Sequence, residues 1–347
     1  MTIHKKRYDV IWILGDGIGN VIQALYSVEY CLRLGLRIGV YLENLPSSFI
    51  EYLKVCYGKI ILEEIEYLNT TNLIHCWLIK TKKEIEYENY YYVNPDKIST
   101  QYQSETESYL SIAKALYPSG STSKTLKRLI LKETERVSKL GVEAKIVLYP
   151  GCSADSPVQR WPYNESLLYK LRMDNCLIIG GLDDLNFEAS YYYLKIFSEI
   201  MPQRILNRKL IWSICKAMGL LKKHSHINNL VSMGNSYFNE FSWTELAFIF
   251  SNCKGFIGND GGLSHFGSAL GAKGLVIFGP SSVEKSSYLN KKIKTISRSF
   301  DCQPCFYSKG GPLLYMAKTF INCPYQIKCL YDINVKEILY EVKRFDV

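Results

Sequence analysis

The chain has 347 residues, 47% of them hydrophobic and 22% charged, a balance that suits two folded domains and excludes a disordered or low-complexity protein. Lys and Arg number 42 against 33 Asp and Glu, a net charge of +9. That surplus suits small anionic partners or an anionic membrane face, but its short scattered runs and the lack of any RNA- or DNA-binding motif exclude nucleic acid as the expected partner.

Met1 to Tyr8 leads straight into a strand, with no signal peptide, and no apolar run approaches the 18 or so residues of a spanning helix; the expected location is cytoplasmic. Tyr8 to Leu14 reads as a strand, Gly15-Asp16-Gly17-Ile18-Gly19-Asn20 as a Gly-rich turn, Val21 to Leu34 as an amphipathic helix and Ile38 to Leu42 as the next strand. The glycine spacing departs from Gly-x-Gly-x-x-Gly, which disfavours a nicotinamide-binding dehydrogenase. From Phe49 to about Tyr117 short apolar runs alternate with polar turns. Within that stretch Ile60 to Ile65 and Tyr90 to Val93 read as strands, and a helix follows the loop Ser99 to Ser104. Thr122 to Lys139 reads as a basic helix carrying Lys124, Lys127, Arg128, Lys132 and Arg136, either a solvated face or a surface for phosphates.

In the second half, Lys145 to Tyr149 is an expected strand, followed by Pro150-Gly151-Cys152-Ser153 and Gln159-Arg160-Trp161-Pro162. Another strand from Cys176 runs to Asp183-Asp184, and helices are expected over 187–201 and 208–221. Ser242 with Glu245 three residues on is a capping box before an apolar helix.

The stretch around which the rest is organised is Gly258-Asn-Asp-Gly-Gly-Leu-Ser-His265, continued by a small-residue helix to Leu270 and a strand, Leu275 to Phe278, ending in Phe-Gly-Pro280. It reads as strand, Gly-rich turn, helix, strand, with Asp260 placed to cap the helix. Such a turn lies where open α/β sheets bind ligands, and helix N-terminal N–H groups there favour a phosphate.

Asp260-Gly-Gly-Leu-Ser-His265, the small-residue helix and Val-Ile-Phe-Gly-Pro280 together resemble the heptosyltransferases of glycosyltransferase family 9. The resemblance implies an α/β GT-B fold, two Rossmann-like α/β/α domains facing each other across a cleft. On that pattern 1–140 is the acceptor-side domain, 141–332 the nucleotide-sugar domain, and 333–347 a helix crossing back to the first domain. It implies inverting transfer of a sugar, ADP-heptose being the favoured donor, onto a bacterial surface glycan or glycolipid such as lipopolysaccharide core, with peripheral inner-membrane contact as an added expectation.

The site residues follow from the same resemblance. The family's general base is an Asp in the first Gly-rich turn. Here Asn20 takes that position, and a neutral amide cannot accept the proton. Asp16 is therefore the expected base, with Asn20 positioning the acceptor. The family's Lys-x-Trp-Pro reads Gln159-Arg-Trp-Pro, so Arg160 is the expected substitute cation on the donor phosphates, with Ser153 nearby. Asp183, in preference to Asp184, would meet the ribose hydroxyls. Asp260 would orient the loop or meet the donor sugar, Gly261 and Gly262 would hold the pyrophosphate through their N–H groups, and His265 and Lys285 are further phosphate partners. Charge stabilisation by such groups needs no cofactor.

Eleven cysteines without a signal peptide do not read as a disulfide scaffold. Cys302, Cys305, Cys323 and Cys329 are spaced as two close pairs that suit a structural zinc or iron site, or four reduced thiols packing a loop. Two other readings stay open: a transferase of the same fold with another nucleotide sugar or a protein acceptor, and a catalytically silent sugar-nucleotide-binding subunit, which Asn20 at the base position favours.

Overall fold

A computed structural model of the chain describes residues 7–15, 17–63, 69–76, 90–93, 104–129, 135–151, 159–181, 235–238, 240–303, 325 and 328–346. The first half contains β1 (Arg7–Gly15), α1 (Ile18–Arg33), β2 (Ile38–Glu43), α2 (Ser47–Tyr57), β3 (Ile61–Leu62), β4 (Asn69–Cys76), β5 (Tyr90–Val93) and α3 (Glu105–Leu116). Its strands form one parallel sheet in the order β3-β2-β1-β4-β5. Val10 to Leu14 of β1 are buried on both faces, as the unbroken apolar run of a central parallel strand requires. Every residue from Val21 to Cys31 of α1 is buried, because the helix lies between its own sheet and helices of both halves.

After the short α4 (Glu135–Ser138) come β6 (Ile146–Tyr149), α5 (Asn164–Leu171), β7 (Cys176–Gly180), β8 (Ser236–Phe238), α6 (Trp243–Asn252), β9 (Gly255–Asn259), α7 (Gly262–Ala269), β10 (Gly274–Ile277), β11 (Ile293–Ile296), α8 (Lys328–Tyr331) and α9 (Val335–Val342). The second sheet is also parallel, in the order β11-β10-β9-β6-β7-β8. Chain direction across the sheet reverses between β6 and β9. That is the topological switch point, where ligands enter open α/β sheets at the strands' carboxyl ends. One apolar core joins the halves: Phe49 and Tyr52 of α2 pack with Trp243 of α6 and Phe266 of α7, the ring centroids of Phe49 and Trp243 lying 4.6 Å apart.

Several expectations need correction. The segment 47–57 is a helix rather than an alternating run, since Phe49, Tyr52, Leu53 and Tyr57 fall on one buried face. Residues 69–76 form a strand that the polar Asn-Thr-Thr-Asn start conceals. The basic stretch 122–139 is not one helix. Leu126 is buried and donates its N–H to Ala269 O at 2.7 Å, so tertiary docking holds 122–126 out of helical geometry, and only 127–129 and 135–138 are described as helical turns. Arg136 bonds Glu240 and stacks on Phe241 at 5.2 Å, which makes it a packing residue. Helix α1 starts at Ile18, three residues earlier than expected, so Asn20 sits in its first turn. Asp260 does not cap α7; Gly261 is the N-cap, and no side chain accepts from it. Finally, Ile338, Val342 and Phe345 pack under the second sheet with Leu148, Trp161 and Ile257, where the resemblance had sent 333–347 back to the first half. The stripe they form is apolar on one face, and that core is the surface it matches. The helices expected over 187–201 and 208–221 lie outside the described residues.

Candidate functional site

Residues at the carboxyl edges of both sheets converge. Gly258 and Asn259 end β9, and Asp260-Gly261 turn the chain into α7. Asn259 is almost fully buried and uses its whole amide. Nδ2 donates to Pro150 O at 2.8 Å and Gly151 O at 2.9 Å, while Oδ1 accepts from Trp161 N at 3.0 Å. One side chain thus ties together the loops after β6 and β9, which flank the switch point, and the segment carrying Arg160. Ser264 Oγ donates to Asn259 O at 2.6 Å and secures the turn from the helix side.

The first turn of α7 lies directly against the first turn of α1. A Cβ on Gly262 would stand 3.3 Å from Ile18 Cβ and 3.4 Å from Gly19 N, and a Cβ on Gly19 would stand 3.1 Å from His265 Cδ2. The two helices approach backbone to backbone here, which explains a glycine on each side. Asn20 is the next residue on α1 and is half-buried, its Nδ2 turned back over Gly17.

Behind this contact sits a buried polar cluster. Asp260 is fully enclosed, and burial pushes its carboxyl up to about 6. The hydroxyls of Ser281 and Ser286 and the charge of Lys285 oppose that rise, and the charge of Glu105 adds to it. Ser286 Oγ donates to Asp260 Oδ2 at 3.4 Å. Burial, helped by Lys285, lowers His265 to about 4, so the imidazole is neutral at pH 7. Its ring lies 4.9 Å from that of Tyr288, whose hydroxyl burial raises well above the usual range. His265 Nε2 and Asp260 Oδ1 are 3.8 Å apart. That exceeds hydrogen-bond reach, and burial drives both groups toward their neutral forms, so they are neighbours rather than an ion pair. Lys285 Nζ lies 3.7 Å from Glu105 Oε2 of α3, with both side chains buried.

The structure therefore brings Asn20, Gly261, Gly262, Asp260, His265 and Lys285 to one place, with Gln159 and Arg160 tied beside them through Trp161 N. Gln159 is buried; Arg160 is half-buried with Nε and Nη1 shielded from solvent. Asp16, Ser153, Asp183, Cys305 and Cys323 lie outside the described residues. Sequence reasoning missed Asn259, taken only as a turn residue, and Glu105. A fully buried amide between two loops leaves no local pattern. Of the four cysteines, Cys302 is half-exposed and Cys329 is buried. Their segments converge on Gly279, whose carbonyl accepts from Gln303 Nε2 at 2.6 Å and whose Cα faces Leu330. The Phe300 and Tyr325 rings, 4.8 Å apart, join the same segments. Soft thiols on converging segments fit a zinc or iron site as far as these two residues go. Among the described residues no group of three or more His, Cys, Asp or Glu could hold a metal ion, and no helix is long and apolar enough to cross a membrane.

Residues 228–311, which contain the central loop and Lys285, match the sequence profile of Glycosyltransferase family 9 (heptosyltransferase). No curated protein matches the chain by sequence. Solved structures match over nearly its whole length. ADP-heptose lps heptosyltransferase II of E. coli is 13% identical with a TM-score of 0.56, covering 97% of this chain and 98% of its own. A family 9 glycosyl transferase from Veillonella parvula is also 13% identical, with a TM-score of 0.54 and coverage of 99% and 98%. The iron-containing dodecameric glycosyltransferase TibC of enterotoxigenic E. coli is 14% identical, with a TM-score of 0.57 over 99% of this chain and 78% of that one. At these identities the structural likeness carries the fold, and the profile match carries the loop. Together they give the chain the GT-B fold of those structures, and residues 228–311 the likeness to Glycosyltransferase family 9 (heptosyltransferase).

Proposed function

We propose that the chain transfers a sugar from a nucleotide donor, ADP-heptose before others, to a glycan or glycolipid acceptor, with inversion at the anomeric carbon. The observation that carries this reading is the meeting of the α1 and α7 first turns at the carboxyl edges of two parallel sheets, with Lys285 buried beside them. The donor diphosphate would lie at the N-terminus of α7, on the N–H groups of Gly261 and Gly262. Lys285, Arg160 and Ser153 would balance its charge as the bond from sugar to phosphate breaks, and His265 would donate or accept one hydrogen bond as a neutral imidazole. Asp183 would take the ribose hydroxyls. Asp16 would accept the proton of the attacking acceptor hydroxyl, and Asn20 would hold that hydroxyl in line. Residues 1–140 would carry the acceptor and 141–332 the donor. A thiolate site of Cys302, Cys305, Cys323 and Cys329, with zinc or iron in a structural role, belongs to the same reading; metal analysis of the purified protein tests it. Cytoplasmic placement, with peripheral contact at the inner membrane, suits a glycolipid acceptor.

The test is thermal shift against ADP-, GDP-, UDP- and CMP-sugars, then donor turnover. A selective shift with ADP-heptose supports the reading. A shift with another nucleotide replaces the donor and keeps the fold. Turnover by the wild type that persists unchanged in Asp16→Asn removes the base assignment. A second reading, a silent nucleotide-sugar-binding subunit, is favoured by Asn20 standing where the base is expected; it predicts a shift without turnover on any acceptor.

A further inference from the structure

Trp161 is buried to 1% exposure and is hydrogen-bonded at its backbone N–H, its carbonyl and its indole. The backbone N–H donates to Asn259 Oδ1 at 3.0 Å, the residue just before the Asp260-Gly261 turn into α7. The carbonyl accepts from Nδ2 of Asn164, the first residue of α5, at 2.6 Å. The indole Nε1 donates to Ile333 O at 2.8 Å, in the connection between α8 and α9. Two residues on, Tyr163 OH donates to Tyr331 O at 3.2 Å. The Tyr163 ring stands nearly perpendicular to those of Trp161 and Tyr331, at centroid distances of 5.6 Å and 6.3 Å. The same segment reaches a second loop. Leu330 packs on Gly279, after β10, where a Cβ would stand 2.6 Å from Leu330 Cγ. Arg298 Nη2, just beyond β11, donates to Asp332 O at 3.0 Å and fixes the segment from that side.

β6 and β10 are not neighbours in the sheet, because β9 lies between them. The loops after these strands lie at the carboxyl edge, where open α/β sheets take their ligands. Residues 330–333 hold the outer two loops, and Asn259 joins the inner one to the loop after β6. A buried indole needs one acceptor for its N–H, and any nearby carbonyl would serve. Here Trp161 ties its loop to the central turn through the backbone and to 330–333 through the ring, while that segment also braces Gly279. We propose that Trp161 is a positioning residue of the donor site: anchored on Ile333 O, it holds the loop carrying Gln159 and Arg160 at the distance from the loop after β10 that a nucleoside diphosphate between them requires. The width of the phosphate site is then set by residues 330–333. The role rests on the donor site proposed above.

The experiment compares full-length Trp161→Phe, Tyr163→Phe and Ile338→Val with the wild type. Calorimetry reads the affinity of each for a nucleoside diphosphate (ADP, or GDP or UDP if one of those shifts the wild type) and for the matching monophosphate. It is run at a temperature where unfolding curves show every variant folded. The readout is the preference for diphosphate over monophosphate, which a loss of stability alone does not move. Trp161→Phe keeps an aromatic ring but loses the bond to Ile333 O, and is expected to lower that preference about fivefold. Tyr163→Phe loses only the bond to Tyr331 O, and is expected to lower it about threefold. Ile338→Val thins the same core, where Ile338 is fully buried, and is expected to lower the Tm and leave the preference unchanged. A preference in Trp161→Phe within about twofold of wild type, or an equal fall in Ile338→Val, overturns the positioning role while leaving the donor site intact. If the wild type binds no nucleoside diphosphate, the donor site itself fails and this role falls with it. Should Trp161→Phe not fold, Tyr163→Phe carries the test, with an unchanged preference as the overturning result.

Discussion

Helices α3, α6 and α9 each begin with a closed capping box, in which Ser104, Ser242 or Asn334 accepts from a backbone N–H and a Glu three residues on reaches back. Helices α1 and α7, which meet at the candidate site, begin instead after Gly17 and Gly261, with no side chain accepting from their first turns. A capping box satisfies the helix end from within the chain; a glycine start leaves that task to whatever approaches from outside. The two glycine starts also differ from each other. At α7 the turn is fixed by buried Asn259, Asp260, Ser264 and His265, whereas Gly17 to Asn20 at α1 are all half-buried. The candidate site has one wired wall and one less buried, adaptable wall, a division that would suit the proposed donor diphosphate on the first side and the proposed acceptor on the second.

The comparison breaks most directly at Asn259. Asn259→Ala removes three hydrogen bonds and strands two carbonyls and one N–H in the interior, so it should cost about 3–5 kcal/mol. Urea unfolding measures this, and a loss under about 1 kcal/mol would mean the wall is fixed by something else.

The second test is the pH dependence of the wired wall. Asp260 has a raised folded pKa, about 6 against an ordinary 3.8, so ionising it costs stability as pH rises through that window. His265 has a lowered one, about 4 against 6.5, so protonating it costs stability as pH falls through its window. The two slopes oppose each other, each worth on the order of 3 kcal/mol, and the wild type should be nearly flat between them. Asp260→Asn should then show stability rising from about pH 4 to 6.5, and His265→Gln should show it falling from about pH 4 to 6. Thermal unfolding across pH reads both, and flat profiles in both variants would sink the assignment.

The seam between the walls should be less sensitive. Gly262→Ala needs Ile18 and Gly19 to give way by a few tenths of an ångström, an overpacking cost of about 1 kcal/mol visible as a lower Tm. An unchanged Tm would show the seam to be loose. Smallest is Asn20→Ala on the adaptable wall, expected to change stability by less than about 0.5 kcal/mol while lowering turnover on the acceptor. A larger loss of stability would make Asn20 a structural residue.

Elements whose signal is local were legible in the sequence. β1 and β9 are unbroken apolar runs, and the Ser242–Glu245 box is visible in four residues. The spacing of Phe49, Tyr52, Leu53 and Tyr57 carried the α2 signal as well, but the polar residues between them read as turns. β4 is a strand because β1 and β5 pair with it on either side, which its own Asn-Thr-Thr-Asn start does not announce. The apolar stripe of α9 says that one face is buried without saying against which half. At the site, Asp260, Gly261, Gly262 and His265 were legible as a contiguous motif, and Lys285 as a cation beyond Phe-Gly-Pro. Asn259 and Glu105 were not, because each acts through residues about a hundred positions or more away.

Trp161 Nε1 donates to Ile333 O at 2.8 Å, across 172 residues, and the Phe345 ring lies under Gly255 at the start of β9. The central strand of the second sheet therefore has its floor supplied by a segment made long after it. During synthesis the first sheet can close while translation continues, but the Trp161 indole lacks its partner until Ile333 has left the ribosome, and the second core lacks its base until residue 345 has. For that interval the growing chain exposes the apolar underside of β6, β9 and β10, and slow translation or early release between 300 and 345 is when this protein is most exposed to aggregation.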